Sequence, residues 1–443
     1  MKQKLLIFLS LLLFTAATLR AESMFPYKYQ EAKLDNGLRV ILIPMKNPGL
    51  VSYFTVVSAG SRDEIEPGKS GFAHFFEHMM FRGTDKYPPE KRNEILSNMG
   101  ADTNAYTTDD FTNYYLHFPT KYLEQVIDLE SDRFMNLKYA LPAFQTESRA
   151  VLGEYNKNFS NPFVQLDEKV RDVAFEKSSY KHTTMGFIKD IQNMPNEYDY
   201  SLQFFQRFYR PENCTVMVLG NFDPAQTLVL IKKYYAPWKP GDYVTKPIPE
   251  AEQTAERRDK INYPGDTLPI VMAAYKVPAF AVDSKEYAAL TLLADLAFGE
   301  TSPLYQRLVL KEQKADFVQA DNDRHRDPYL FQIYARVKDE KDLNTVEQSF
   351  YSTLDEMKQK PADPKRLADL KSNQKYGFLM SLDTSKRAGS ALARYVELTH
   401  NIEGIDTLFQ TFQSITPEDI QKVAQKYFDP KNKTVITLTG AKQ

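Results

Sequence analysis

The 443-residue sequence contains one cysteine, Cys214, and one tryptophan, Trp238. A single thiol cannot close an internal disulfide, so packing alone must hold the folded chain. Cys214 lies in an apolar, strand-like run and reads as a buried structural thiol. Net charge is small, −2 at pH 7. The chain therefore lacks the basic footprint of a nucleic-acid binder and has no charge-driven attraction to an anionic membrane. Beyond residue 21 no apolar run is long enough to cross a bilayer. Histidine is scarce as well, six in all, so two of them at ligand spacing carry weight.

The start of the chain has its own pattern. Met1-Lys-Gln-Lys4 is basic, Leu5 to Phe14 is apolar apart from Ser10, and Ala16-Ala-Thr-Leu-Arg-Ala21 follows. This predicts a secretory signal peptide over residues 1–21, cut after Ala21 or, alternatively, after Ala17. An uncleaved anchor is the competing reading, but the run is short for a span. The expected product is periplasmic or secreted, with no stable membrane anchor and no nucleic-acid partner. It is long enough for two domains, each with its own core.

Half a chain apart, the sequence repeats. Tyr209-Arg-Pro-Glu-Asn-Cys-Thr-Val-Met-Val-Leu219 aligns without gaps on Phe428-Asp-Pro-Lys-Asn-Lys-Thr-Val-Ile-Thr-Leu438, an offset of 219 residues (430 − 211). Each copy reads as helix, proline turn, strand, which implies a duplicated domain. Pro237, Pro240, Pro247 and Pro249 mark the join. The expected division is a first domain over 22–240, a linker over 241–260 and a homologous second domain over 261–443. Strands are expected at 34–44, with a turn at Asn36-Gly37, at 51–58 and at 114–118. Helices are expected near 122–137, 142–159, 285–297, 343–358 and 364–380. Strands mixed with helix pairs, twice over, make the fold class α+β: two homologous mixed domains in a clamshell arrangement.

The chemistry centres on His74-Phe-Phe-Glu77-His78. On a helix, residues four apart share a face, so both imidazoles can meet one metal ion with Glu77 beside it. Zinc hydrolysis needs neutral histidine ligands, an acidified water and a carboxylate base, and H-x-x-E-H supplies the protein's share. The bland alternative is a buried amphipathic helix that happens to carry two histidines. A catalytic zinc ion usually takes a third protein ligand. The helix expected over 142–159 offers Glu147 and Glu154, two turns apart on one face, and the spacing does not choose between them. Phe72, Phe75, Phe76 and Phe81 read as packing residues. His117, His182, His325 and His400 show no metal spacing and read as structural or surface residues.

His74-x-x-Glu77-His78 followed by Glu147 and Glu154 resembles the pitrilysin or insulinase-type (M16) zinc peptidases, and within them the bacterial relatives of the mitochondrial processing peptidase. The resemblance extends over essentially the whole chain after residue 21. It implies a zinc-dependent endopeptidase acting on peptides or unfolded polypeptides held in extended form. It implies one Zn2+ per chain on His74, His78 and Glu154, with Glu147 in support and Glu77 as catalytic base. Gly100-Ala-Asp-Thr-Asn-Ala-Tyr-Thr107 resembles the family's edge strand, which implies that Asn104 and Ala105 bind substrate backbone. Without the family, this run is a polar turn before a strand. One departure stands out. Self-sufficient members carry an arginine and a tyrosine seven residues apart, at positions that here hold Val309 and Asp316. This implies a catalytic subunit whose Arg/Tyr pair comes from a homologous partner; the alternatives are a pair placed elsewhere in the second domain and a weak, self-associating enzyme, a homodimer. Other readings are a non-catalytic assembly subunit and a zinc hydrolase acting on non-peptide amides.

Overall fold

The computed structural model describes residues 23–441 apart from Asn47 and His400. The expected signal peptide and His400 lie outside the described residues.

The first half contains β1 (Gln30–Lys33), β2 (Arg39–Pro44), β3 (Leu50–Val57), α1 (Phe72–Met79), α2 (Pro89–Met99), β4 (Asp102–Thr107) and β5 (Thr112–Pro119). It continues with α3 (Leu123–Asn136), α4 (Leu141–Phe159), α5 (Pro162–Ala174), α6 (Ile188–Asn193), α7 (Tyr198–Phe208), β6 (Cys214–Gly220) and α8 (Pro224–Tyr235). After an extended segment, the second half gives β7 (Arg257–Tyr263), β8 (Ile270–Val277), α9 (Lys285–Phe298), α10 (Pro303–Tyr305), β9 (Ala315–Asn322) and β10 (Tyr329–Val337). α11 (Leu343–Gln359), α12 (Pro364–Met380), α13 (Ser385–Thr399), α14 (Gly404–Ser414), α15 (Pro417–Tyr427) and β11 (Lys433–Gly440) complete it.

The strands form two sheets, ordered β1-β2-β6-β3-β5-β4 and β7-β11-β8-β10-β9. Apart from β1, the second order repeats the first strand for strand. In both, the last strand pairs parallel with the first repeated strand and antiparallel with the next. The internal repeat falls at the matching place in each half: α7 then β6, and α15 then β11.

The opening strand differs from its expected form. Residues 34–38 are the turn of a hairpin, with Gly37 at φ 95°, and the chain before them forms β1. Gln-Glu-Ala-Lys in β1 is mostly exposed, so it carries no alternation by which a strand could be recognised. The extended segment also ends sooner than 260, because β7 begins at Arg257.

Side-chain alternation splits each sheet between two cores. On β3, Val51, Tyr53 and Val57 face a core shared with α1, α3, α4 and α7, while Phe54 and Val56 face the other way. That second face is covered by α13, from the opposite half of the chain, through Ala388, Leu392 and Val396. Reciprocally, α5 of the first half lays Leu166, Val170 and Ala174 on Ile270, Met272 and Ala274 of β8. Each half thus lends one helix to the other's sheet. Full burial of Leu392 and Val396 contributes about 1.5–3 kcal/mol apiece, so the exchange joins the halves firmly. Gly389 permits it: a Cβ there would lie 2.0 Å from Phe54 Cε2.

Candidate metal centre

α1 starts after Gly71, whose φ of 89° is left-handed. A Cβ at this position would sit 2.3 Å from Ile191 Cδ1 and 2.8 Å from the Met185 carbonyl, so glycine is required. The helix is capped from a distance. The buried Glu64 carboxylate accepts the Gly71 and Ala73 N–H groups, each at 2.6 Å. One face of α1 is aromatic, with Phe72 on Tyr200, Phe75 on Phe144 and Phe76 on Phe204 at ring-centroid distances of 4.8, 5.0 and 5.1 Å. Because Phe144 belongs to α4, this packing also sets the approach of α4 to the histidine face.

That approach brings three expected residues together. His78 Nε2 lies 3.3 Å and His74 Nε2 3.8 Å from one oxygen of Glu154. Ligand atoms of His74, His78 and Glu154 all lie within 4.8 Å of one another. Donors bound to a tetrahedral zinc ion at about 2.0–2.1 Å stand about 3.4 Å apart. Both the donor types and their spacing therefore fit zinc. Among the described residues, no other group of three histidine, cysteine or acidic side chains has this closeness.

Glu147 sits on the far side of His78. Its Oε1 is 2.9 Å from His78 Nδ1, and its other oxygen is paired with Arg82. A carboxylate only accepts, so Nδ1 carries the proton and Nε2 presents its lone pair toward Glu154. The two glutamates that spacing could not separate thus occupy different positions, one on each nitrogen of the same imidazole.

The electrostatics follow from this geometry. Burial, then the neighbouring His78, pulls His74 down to about 4, the neutral form a metal ligand needs. The hydrogen bond that His78 donates to Glu147 raises His78. Burial alone would lift Glu147, but its bonds with His78 and Arg82 more than offset this and leave it lowered. Burial raises Glu77, against a bond from Thr107 Oγ1 at 2.7 Å. A carboxylate raised in this way is better suited to exchange protons near neutral pH.

Glu77, His78, Arg82, Asn93, Asn104 and Glu147 line a cleft of about 380 Å³. One side of it is β4, the outer strand of its sheet, whose unpaired edge can take up an extended peptide. Asn104 is exposed there and Ala105 is buried, and the Asn104 side chain accepts the Ala105 N–H at 2.9 Å. Val309 packs against the second-half core, and Asp316 accepts a bond from Arg336 Nε at 2.9 Å. Neither supplies an arginine or a tyrosine. His117, His182 and His325 bond to Ser52, Thr183 and Asp109, and Cys214 is buried, all in structural settings. Sequence reasoning passed over Glu64, Thr107 and Arg82. Only Arg82, four residues after His78 and just past the end of α1, had a spacing that could have revealed it.

Residues 40–187 match the family described as Insulinase (Peptidase family M16), and residues 197–374 match Peptidase M16 inactive domain. The chain belongs to the M16 peptidase family. It is 28% identical to the zinc protease PqqE of Helicobacter pylori over 97% of this chain and 96% of that protein. It is 24% identical to the mitochondrial-processing peptidase subunit beta of Lentinula edodes, over 90% and 87% of the two chains. The crystal structure of a protease from Helicobacter pylori superposes with a TM-score of 0.86 at 27% identity, covering 93% of this chain and 99% of that one. The second M16 match, to an inactive domain, falls mainly on the half without H-x-x-E-H.

Proposed function

We propose that this M16 protein is a zinc-dependent endopeptidase that cleaves peptides or unfolded polypeptides held in extended form. The reading rests chiefly on the convergence of His74 Nε2, His78 Nε2 and Glu154, with Glu77 in the adjoining cleft beside an open strand edge. His74, His78 and Glu154 would hold one zinc ion per chain, and the ion, when bound, supplies Lewis acidity to the attacking water and the scissile carbonyl. Glu77 takes the proton from that water and delivers it to the leaving amine. Thr107 keeps the Glu77 carboxylate turned toward the cleft. Glu147 fixes the His78 ring and its tautomer. Asn104 and Ala105 on β4 meet the substrate backbone, which pairs as an added strand.

The finer reading concerns the partner. With Val309 and Asp316 in place of an arginine and a tyrosine, the developing oxyanion lacks two donors. Loss of one such donor costs about a hundred- to a thousandfold in turnover. The chain is therefore the catalytic subunit of a two-subunit enzyme, working with a homologous partner that carries the pair. The basic-then-apolar start supports export to the periplasm or beyond. The test is hydrolysis of a quenched peptide by the zinc-loaded chain, alone and with candidate homologous subunits. Chelator-sensitive cleavage that rises at least about a hundredfold with a partner is expected. Full turnover by the lone chain would overturn the partner reading, and chelator-insensitive cleavage would overturn the zinc reading.

A further inference from the structure

A second polar cavity, of about 230 Å³, lies on the seam between the halves, where Thr108, Asp109 and Arg171 of the first meet Arg324, His325 and Arg394 of the second. Its carboxylates are mostly engaged. Asp109 accepts bonds from Ser61, Arg171 and His325, and Asp110 accepts one from Tyr180. Two arginines have no carboxylate. Arg324 stacks over Tyr395 at 4.4 Å and donates to Tyr287 Oη at 3.3 Å. Arg394 makes no ion pair among the described residues, and its charge acts on the Tyr106 hydroxyl. The counter-charge left over is the exposed Asp323. His325 also keeps a buried Nδ1 without a partner. Half-buried guanidinium groups rarely stay unpaired, and their planar fork matches a carboxylate.

The cavity is placed to meet whatever binds at β4. Lys386 at the start of α13 bonds to Asp102 at the start of β4, at 2.5 Å, and Arg394 neighbours Tyr106 near the end of the same strand. Eight helical residues rise about 12 Å, and four strand residues about 13 Å. α13 packs on β3 and β6, and its stripe of Lys386, Ser390 and Arg394 at i, i+4 and i+8 reaches toward β4 at one end through Asp102 and enters the cavity at the other. Thr107 holds Glu77, and Thr108, the next residue, already lines the cavity.

We infer that this seam cavity is a carboxylate subsite for the peptide, with Arg394 and Arg324 binding an acidic group about two or three residues from the scissile bond. The inference rests on the endopeptidase reading. The acidic group could be a Glu or Asp side chain or the peptide's own α-carboxylate, because both offer the same two oxygens.

The test uses the full-length, zinc-loaded Glu77→Gln protein, which holds peptide without consuming it. Fluorescent peptides of one sequence are titrated in three forms: neutral and C-terminally amidated, amidated with a single Glu, and neutral with a free C-terminus. At least one acidic form should bind about tenfold or more tighter than the neutral one, and which form does so identifies the source. The preference should collapse in Arg394→Gln, return in part in Arg394→Lys and invert in Arg394→Glu, an order that a purely structural role would not produce. Equal binding of all three forms, or a preference that survives Arg394→Glu, would overturn the subsite while leaving the peptidase reading intact. Failure of every peptide to bind would overturn both.

Discussion

The two glutamates of α4 make the sharpest test of the metal centre. Glu154→Gln and Glu147→Gln remove the same charge two helical turns apart, yet their effects should differ by decades. Glu154 shares one oxygen between the Nε2 atoms of His74 and His78, at 3.8 and 3.3 Å; on the proposed reading, replacing it removes one of three protein ligands. Zinc held by four ligands is bound with about 10–16 kcal/mol, or roughly 2.5–4 kcal/mol per ligand. Glu154→Gln should therefore weaken zinc binding by about a hundred- to a thousandfold. Glu147 touches only the outer nitrogen of His78. A glutamine carbonyl can still accept the Nδ1–H, so tautomer and ring orientation survive, while Arg82 loses its anion. Changes to such supporting groups cost about ten- to a hundredfold, and the retained hydrogen bond places this one at the low end. The measurement is zinc per chain after equilibrium dialysis against a graded series of competing chelators. If Glu147→Gln lost as much zinc as Glu154→Gln, the assignment of the two helix positions would be wrong.

Three further outcomes follow from the same geometry. Glu77→Gln should keep full zinc occupancy while turnover falls by about a hundredfold or more; near-normal turnover of a quenched peptide would remove Glu77 from the mechanism. Gly389→Ala should lower stability by about 1–2 kcal/mol, because overpacking against the buried Phe54 ring outweighs the gain in helix propensity; an unchanged urea midpoint would mean that the seam yields easily. Glu250, in the segment joining the halves, accepts the N–H groups of Glu176, Lys177 and Ser178 and a bond from Lys276. Burial would raise it, but these bonds more than offset that and bring it from the ordinary 4.5 to about 2. A depressed carboxylate stabilises the fold above its unfolded pKa and loses that contribution as pH falls from 4.5 through about 2. Allowing for solvent screening, it should contribute about 1–2 kcal/mol. Urea midpoints at pH 6 and pH 3 should differ less in Glu250→Gln than in the unaltered chain, and an identical difference would refute the clamp.

The sequence by itself determined the features that depend on local periodicity. His74, Glu77 and His78 share a helix face wherever that helix packs, because 3.6 residues per turn fixes it. The duplication was legible because Tyr209–Leu219 and Phe428–Leu438 repeat a helix, turn and strand that each form locally. The fold class followed from the same elements, whereas β1 was missed because its exposed polar residues leave no pattern. Which glutamate lies beside the two Nε2 atoms was beyond spacing alone: Glu147 and Glu154 lie on the same face of α4, and the packing of Phe144 on Phe75 sets how α4 meets His78. The family resemblance implied Glu154 as the ligand, and the structure sets its carboxylate beside both Nε2 atoms. Tertiary structure alone decided the exchange of α5 and α13 between the sheets, because an amphipathic helix has the same stripe whichever sheet it covers. It also brought Glu64 to the start of α1 and gathered Asp109, Arg324 and Arg394 at one seam, since charges from distant segments have no period to reveal that they will meet.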